Sequence, residues 1–292
     1  MIKAPPSIKT STSLSAKNDP PSSSSDAARA TKQLLAVQDA ETRAARAVAA
    51  ACDNWDYDNK ITARDAIRPL TKLLRGSDGE AEAAALALCK LARNSENKDL
   101  IAKAGAIPPL VALFFQNGND MGKENAAGAL LTLANMNESN KVLIAKAGAI
   151  PPLVTLLQSG TDDSKARAAG ALCNLAGEND DNKVSIARAG AIPLLVALLQ
   201  NGTDESKAEA AGALWNLACK NDDNKVSIAR AEAIPLLVEL EEIGTVTAKK
   251  NAARAIQSIA ENNDSNRRLI SDARSSLRME RDARRAFPER KA

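Results

Sequence analysis

The strongest constraint on this chain is an internal repeat with a period of about 42 residues. Residues 148–189 and 190–231 differ at only 8 of 42 positions. The segment GAIPPLV or a close variant begins four times, in steps of 43, 42 and 42 residues, at Gly105, Gly148, Gly190 and Glu232. Self-similarity at a fixed period of this length predicts an array of stacked structural units.

A second marker, Asn followed by Lys or Arg, recurs with the same period. Its first step is 38 residues and the later steps are 43, 42, 42 and 42. The short first step indicates a small deletion, which we place in the loop near Gly76. The marker stands at Asn59, Asn97, Asn140, Asn182, Asn224 and Asn266.

Each unit predicts three helices. The segment NKVSIARAG is a short helix that ends at a glycine able to take a positive φ. The segment IPLLVALLQNG is a second helix with proline in its first turn. Thr203 or Asp204 then caps a third helix, SKAEAAGALWNLA, whose Ala and Leu recur at three- and four-residue spacing. One unit cannot bury its apolar face alone, whereas stacked units can.

The composition agrees with closely packed helices and excludes several kinds of site. Hydrophobic residues make up 45% of the chain but aromatic residues only 2%, so the core must consist of Ala, Leu, Ile and Val. The chain has no histidine, which excludes Ser-His-Asp triads and His-ligated metals. It also lacks a nucleotide-binding loop and a nucleophile elbow. We therefore expect no enzyme, no cofactor, no metal site and no small-molecule substrate.

The four cysteines, Cys52, Cys89, Cys173 and Cys219, show no CxxC spacing. Two of them lie in Leu-Cys-x-Leu-Ala runs, where cysteine acts as a small apolar residue. We expect reduced, buried thiols and an intracellular protein, in the cytoplasm, the nucleus or both.

The net charge of +3 is unevenly distributed. Residues 1–25 carry +2 and residues 274–292 carry +4, which leaves −3 for the body between them. Residues 1–30 are rich in Ser and Pro and we expect a disordered leader. No apolar run approaches the roughly 20 residues that a membrane span requires.

The 42-residue unit with its motifs GAIPxLV, ALxNLA and NK resembles the armadillo repeat over about residues 31–273. It is similar to arrays of plant and protist type rather than to importin-α, which carries Trp four residues before its groove Asn. The resemblance implies an all-α fold, a right-handed α-solenoid (superhelix) of about six stacked three-helix repeats. We expect residues 274–292 to form a basic capping helix or a tail. Divided at the Gly-x-Ile-Pro junction, the units are about 31–65, 66–104, 105–147, 148–189, 190–231 and 232–273.

In the armadillo family the third helices line a concave groove, and an Asn in the ALxNLA run binds the partner's backbone. We call this the central position; it is Lys90, Thr132, Asn174, Asn216 and Ser258 in successive repeats. Helical spacing would place residues at −7, −4 and +4 on the same stripe. The resemblance and this spacing together predict a partner-binding set of Asn125, Thr132, Met136, Arg167, Asn174, Glu178, Glu209, Asn216, Lys220, Asn251 and Ser258.

Two features of the stripe have more than one interpretation. Glycines at −4 (Gly128, Gly170 and Gly212) permit close approach either of a bound chain or of the neighbouring repeat. Charges reverse between Arg167 and Glu209 and between Glu178 and Lys220. These reversals predict inter-repeat ion pairs, or a docking strip of alternating charge, or both.

The few aromatic residues in the array have different expected positions. Trp215 stands one residue before a central position, and we expect it to pack in the core. We expect the same of Phe114, whereas Phe115 is a candidate for an outer apolar patch.

These observations favour a non-enzymatic, monomeric interaction scaffold that binds an extended segment of a partner protein in the concave groove. An alternative is the substrate-recognition part of a ubiquitin-ligase system, because similar plant arrays often follow a U-box. Residues 1–30 are too short and too polar to form one. Weaker alternatives are an import-receptor-like cargo adaptor and a nucleic-acid binder that uses the basic tail, which has only Phe287 for base stacking.

Overall fold

The chain is helical throughout the part that a computed structural model describes, which is residues 42–43, 45–46, 48, 60–116 and 120–286. Within this part there are α-helices and one short 3-10 helix, and no strand. The predicted all-α fold is confirmed. The expected leader, Cys52 and most of the first unit lie outside the described residues.

From Lys60 to Ala286, two helices precede four complete three-helix repeats, and one long helix follows them. In chain order the helices are α1 (Lys60–Leu73), α2 (Asp78–Leu91), α3 (Ser95–Lys103), α4 (Ile107–Ala112, continued by a 3-10 turn, Leu113–Phe115), α5 (Asp120–Ala134), α6 (Glu138–Lys146), α7 (Ile150–Ser159), α8 (Asp162–Ala176), α9 (Asp180–Arg188), α10 (Ala191–Asn201), α11 (Asp204–Ala218), α12 (Asp222–Arg230), α13 (Ala233–Ile243), α14 (Val246–Ala260) and α15 (Asp264–Ala286).

The first and second helices of a repeat meet at a sharp bend, 80° between α6 and α7 and 78° between α9 and α10. The chain turns at a residue with positive φ, as the sequence predicts for Gly148 (+80°) and Gly190 (+84°). In the last repeat Glu232 adopts φ +61° at the same place, a conformation that costs an L-residue roughly 1 kcal/mol.

A threonine caps the amino end of each of the last three third helices, α8, α11 and α14. The hydroxyl of Thr203 accepts a hydrogen bond from the backbone N–H of Ser206 at 3.2 Å. Thr161 and Thr245 cap α8 and α14 in the same way, on Ser164 and Ala248. Thr203 is therefore the cap, rather than Asp204.

The carboxyl end of α8 is held by side chains from three different helices, α6, α9 and α11. The Asn182 amide, on the following first helix, donates to the Leu175 carbonyl at 3.0 Å. The Asn216 amide, on the next third helix, donates to the Cys173 carbonyl at 2.8 Å. From the first helix of the same repeat, the buried Lys141 ammonium donates to the Gly177 carbonyl at 2.7 Å.

These contacts explain the Asn-Lys marker, to which sequence analysis gave a period but no role. The last carbonyl groups of a helix have no hydrogen-bond donor within the helix, and they lie at the negative end of its dipole. The asparagine amides supply the missing donors, and the lysine ammonium supplies both a donor and a positive charge. The same lysine contact joins Lys98 to the carbonyl of Asn135, Lys183 to that of Cys219 and Lys225 to that of Glu261, and the same asparagine contact joins Asn97 to Leu91, Asn140 to Leu133, Asn224 to Leu217 and Asn266 to Ile259.

Small residues let the third helices stack closely. Ala168, Ala169, Ala210 and Ala211 are fully buried between them. Successive third helices are in extensive contact, whereas successive second helices touch at few points. A stack that is tighter on one side curves toward that side, so the third helices form its inner, concave face. The expected α-solenoid is confirmed.

The short first step of the repeat has a second cause besides the loop near Gly76. Helix α1 runs unbroken from Lys60 to Leu73, where later repeats have a first helix, a glycine turn and a second helix. Part of the shortening therefore comes from this junction, because Asn59 precedes Ala66 by 7 residues whereas Asn182 precedes Ala191 by 9.

The array ends in α15, which is 23 residues long, whereas the first helices α3, α6, α9 and α12 have 9 each. Its residue Ile270 is buried. Two ion pairs of 2.9 Å, Arg274–Glu241 and Arg281–Glu242, tie it to α13. Residues 274–286 thus continue a helix that covers the last repeat, and 287–292 lie outside the described part.

No single helix among the described residues is long and apolar enough to cross a membrane; only two sharply bent pairs, α6 with α7 and α9 with α10, meet such a test of length and composition.

The lysine contact predicts a measurable loss of stability in Lys183→Met. The variant keeps the apolar stem but leaves the Cys219 carbonyl and the end of α11 without their cation. We expect the free energy of unfolding to fall by about 1–3 kcal/mol, measured by urea denaturation followed by circular dichroism. Lys146→Met is the matched control, because Lys146 ends a first helix with its side chain exposed. Equal stability of the two variants would show that the lysine contact does not stabilise the array.

Candidate functional site: the concave face of the third helices

The groove wall comprises the side chains of α5, α8, α11 and α14 at the central position and at −7, −4 and −1 from it. Each third helix is offset against the next in one consistent way. A side chain at one position donates to the carbonyl one residue earlier on the preceding third helix. Asn174 donates to Leu131 at 2.9 Å, and Asn251 donates to Ala208 at 2.9 Å.

The central asparagines are half-buried, and part of their polar capacity already serves the scaffold. Asn174 and Asn216 each give one amide N–H to the preceding third helix. Asn216 also lies 3.4 Å from the Cys173 sulfur. Their Oδ1 atoms have no hydrogen-bond partner among the described residues. Each therefore presents an unused acceptor to the concave face.

The other central residues differ from these asparagines. The Thr132 hydroxyl donates to the Gly128 carbonyl of its own helix at 2.8 Å and lies 3.8 Å from the Cys89 sulfur. Ser258 is buried. The expected row of central groups is thus best developed at Asn174 and Asn216.

At −7, two asparagines belong to the stacking interface. Asn125 is buried and donates to the Glu82 carbonyl at 3.4 Å. Asn251 is half-buried and makes the equivalent bond to Ala208.

The glycines at −4 are explained by the neighbouring repeats. A Cβ built on Gly170 would lie 2.5 Å from Leu131 Cδ1 and 2.9 Å from a Glu209 carboxylate oxygen. On Gly212 it would lie 3.1 Å from the Asn251 amide. Each glycine is therefore covered by the −1 residue of the preceding repeat and the −7 residue of the following one. Of the two interpretations left open by the sequence, the structure supports close approach of the repeats.

Arg167 does not pair with Glu209, contrary to the sequence-based expectation. Its guanidinium lies 3.2 Å from the carboxylate of Glu124, on the preceding third helix. The reason is the offset between neighbouring third helices. Because of this offset, a side chain at −7 contacts the residues at −4 and −8 of the preceding third helix. Identical positions of adjacent repeats therefore do not face each other.

The +4 residues do not lie on the helical stripe, which corrects a second expectation. The third helices end two residues after the central position. Their +4 residues then adopt a left-handed conformation in the connecting loop, with φ between 54° and 56°. Among the described ion pairs there is none between Glu178 and Lys220. These exposed residues at the edge of the groove are Met136, Glu178, Lys220 and Asn262.

Glu209 is a carboxylate without a partner. It is half-buried over Gly170, and no hydrogen bond or ion pair within the described residues satisfies it. Burial, followed by repulsion from Glu205, raises the pKa of Glu209. The groove wall thus holds an uncompensated negative charge at this point.

Trp215 packs against the core, as expected, and also contributes to the groove wall. Its ring is partly buried, and the exposed Arg254 guanidinium of the next repeat lies 4.7 Å from the ring centroid. Arg254 occupies the −4 position, which is glycine in the three preceding repeats. In the sequence, this change from glycine to arginine, together with the single Trp at −1, was the feature that could have indicated a contact between the two side chains. Such a cation–π contact contributes about 0.5–1 kcal/mol at an exposed site.

The described cysteines, Cys89, Cys173 and Cys219, are free thiols. Burial raises the pKa of Cys173 to about 12 and also raises that of Cys89. A thiol with a raised pKa stays protonated at neutral pH and is a poor nucleophile. Nor do the described residues include a group of three or more Cys, Asp or Glu side chains that could hold a metal ion.

Phe114 is partly buried against the core, whereas Phe115 is 72% exposed. Phe115 lies at the end of the second-helix segment, away from the groove wall.

Three stretches of the chain match the model of a known repeat family. Residues 94–134, 137–177 and 179–219 match the model of the armadillo/β-catenin-like repeat. Each matched stretch spans one first, one second and one third helix. No curated protein matches the chain.

Several solved structures are similar to the described array. A designed armadillo repeat protein is 28% identical with a TM-score of 0.69, over 75% of this chain and 92% of that chain. An engineered protein is 30% identical with a TM-score of 0.69, over 75% and 91%. A designed armadillo repeat protein in complex with the peptide (KR)4 is 27% identical with a TM-score of 0.64, over 78% and 94%.

The glycine contacts predict opposite outcomes for two alanine substitutions. In Gly128→Ala the new methyl group displaces mainly the flexible end of Arg167, 2.7 Å from the added Cβ. In Gly170→Ala it overlaps Leu131, which is packed between two helices. Alanine gains roughly 1 kcal/mol in helix propensity at both sites. We expect Gly128→Ala to be neutral or stabilising and Gly170→Ala to lose about 1–2 kcal/mol in urea denaturation. The reverse order would contradict this packing of the glycines.

The unpaired carboxylate predicts that Glu209→Gln stabilises the protein at neutral pH, by less than about 1 kcal/mol because the site is partly exposed. The folded-state pKa of Glu209 lies above its unfolded value, so the folded protein binds the proton more tightly. The unfavourable contribution of Glu209 to the free energy of folding is therefore complete when the pH is above the pKa of Glu209 in the folded protein. It disappears as the pH falls below the pKa of Glu209 in the unfolded protein.

Urea denaturation across this pH range tests the prediction. The difference between the variant and the wild type should narrow on acidification. Glu178→Gln, which changes an exposed carboxylate, should show no such trend. A Glu209→Gln variant less stable than the wild type at neutral pH would contradict the assignment.

Proposed function

Because the chain is an armadillo-repeat protein, we propose that it is a non-enzymatic scaffold that binds an extended segment of a partner protein along the groove wall. The observation that carries the proposal is the pair of unused Oδ1 acceptors on Asn174 and Asn216. An extended backbone offers N–H donors at regular intervals, and main-chain bonding of this kind gives affinity without requiring a particular sequence.

The spacing of the two acceptors suits an extended chain. Neighbouring packed helices lie about 8–10 Å apart. An extended segment advances about 3.3 Å per residue, so roughly three residues span one repeat. One similar protein, a designed armadillo repeat protein, was solved in complex with a peptide. That precedent supports a peptide-like ligand for this chain.

The test is a selection of random twelve-residue peptides displayed on phage against the full chain, followed by titration of the selected peptides. In the variant Asn174→Ala with Asn216→Ala we expect at least about tenfold weaker binding, equivalent to about 1.4 kcal/mol. The reason is that the variant removes both groove acceptors.

Asn140→Ala is the matched control, since it also removes an inter-repeat amide hydrogen bond, to the Lys98 carbonyl, but is buried on a first helix outside the groove wall. It should keep the affinity. Selected peptides that bind the double variant as tightly as the wild type would contradict this proposal.

A further inference from the structure

Two charges of the groove wall remain unpaired in adjacent repeats. Among the described residues, Arg167 is neutralised by Glu124, but neither Glu209 nor Arg254 has an ion-pair partner. Each is instead held in place by its surroundings. Glu209 is packed over Gly170, and Arg254 is stacked on Trp215.

Glu209 is prepared to receive a cation. Its carboxylate has already lost part of its hydration, and Glu205, the charged group that acts on it, is also negative. A basic ligand group would therefore relieve an existing electrostatic cost, and the interaction is stronger in a partly desolvated site than in bulk water.

Arg254 is prepared to receive an anion. Stacking on Trp215 covers one face of the guanidinium but leaves the N–H groups at its edge available. These donors match a carboxylate in geometry. Lys250 on the same helix is also exposed, so the local charge is positive.

The two groups lie at a distance that one short segment can span. They stand on adjacent third helices, at −7 and −4, so the separation between their backbones is about 10 Å. Side chains two residues apart in an extended chain point the same way and are about 6.6–7 Å apart. The flexible ends of a basic and an acidic side chain cover the remaining distance.

We propose that the partner segment lying across α11 and α14 carries a basic side chain that pairs with Glu209 and, two residues away, a carboxylate that pairs with Arg254. This inference rests on the proposed function. According to this inference, the partner segment contains both basic and acidic side chains. A uniformly basic segment such as (KR)4 would place a cation against Arg254, and a uniformly acidic one would place a carboxylate against Glu209.

The experiment titrates the full chain at low ionic strength with three fluorescent peptides that contain threonine at alternate positions: (KTET)3, (KTKT)3 and (ETET)3. The wild type should bind (KTET)3 about tenfold more tightly than the other two, because only this peptide matches both charges. Tenfold corresponds to 1.4 kcal/mol.

Single charge reversals then change the preference in a defined way. Glu209→Lys leaves two cations in the groove wall and should make (ETET)3 the tightest ligand. Arg254→Glu leaves two carboxylates and should make (KTKT)3 the tightest. A basic side chain at the position of Glu209 is compatible with the fold, since Arg167 occupies it in the preceding repeat.

Two surface variants control for net charge. Asp181→Lys on α9 and Lys146→Glu on α6 make the same changes at exposed positions of first helices, and both should keep the preference for (KTET)3. If they shift the preference as the groove variants do, the effect is a long-range one and the inference is overturned.

The remaining outcomes separate this inference from the proposed function. Equal affinity for the three peptides, or a wild-type preference for (KTKT)3 or (ETET)3, overturns the mixed-charge assignment but leaves peptide binding intact. Failure of every displayed and synthetic peptide to bind overturns both. Peptides selected from the random library provide a second measurement, because Lys or Arg and Asp or Glu two residues apart should be enriched among them.

Discussion

The whole array depends on satisfying the carbonyl groups at the carboxyl end of each third helix. In α8 these carbonyls accept hydrogen bonds from Lys141 of the same repeat and from Asn182 and Asn216 of the following repeat. One helix end thus joins two successive repeats. Unpaired buried carbonyls are costly, so each repeat depends on the one that follows it. The solenoid is consequently held together by polar contacts at one edge as well as by apolar packing in its centre.

This arrangement determines which polar groups of the groove remain available to bind a ligand. Where the third helices stack, small residues bring the backbones together, and amide donors from the following helix are used for stacking. The Oδ1 acceptors of Asn174 and Asn216 are not used in this way. Neither is the carboxylate of Glu209, whose pKa is raised by burial. A partly desolvated charge that the scaffold does not compensate fits a role in binding rather than in folding.

Much of the fold was predictable from the sequence, because the repeat shows local signals several times. The Gly190 turn, the Thr203 cap and the extent of most helices follow from residue chemistry at a few positions. The role of Lys183 could not be predicted, because its acceptor is the carbonyl of Cys219, 36 residues away. The same limit applies to Arg167, whose partner depends on the offset between two helices. The helical stripe predicted from the sequence also extends too far, to the +4 residues. The first residue after the helix is Gly177 in one repeat and Cys219 in the next, so no common residue type marks the end of the helix.

The two most similar repeats show how binding surface and scaffold are separated in this chain. Of their 8 differences, none falls on the first helix, which carries the Asn-Lys marker. Five lie on the third helix or in the loop after it, including the changes from Arg167 to Glu209 and from Cys173 to Trp215. The second of these changes supplies the ring on which Arg254 is stacked. Because the contacts between repeats use backbone carbonyls, groove side chains can differ from one repeat to the next without disturbing the stack. A sequence of different subsites along the groove is therefore compatible with a nearly uniform scaffold, and it would give an extended ligand one preferred register.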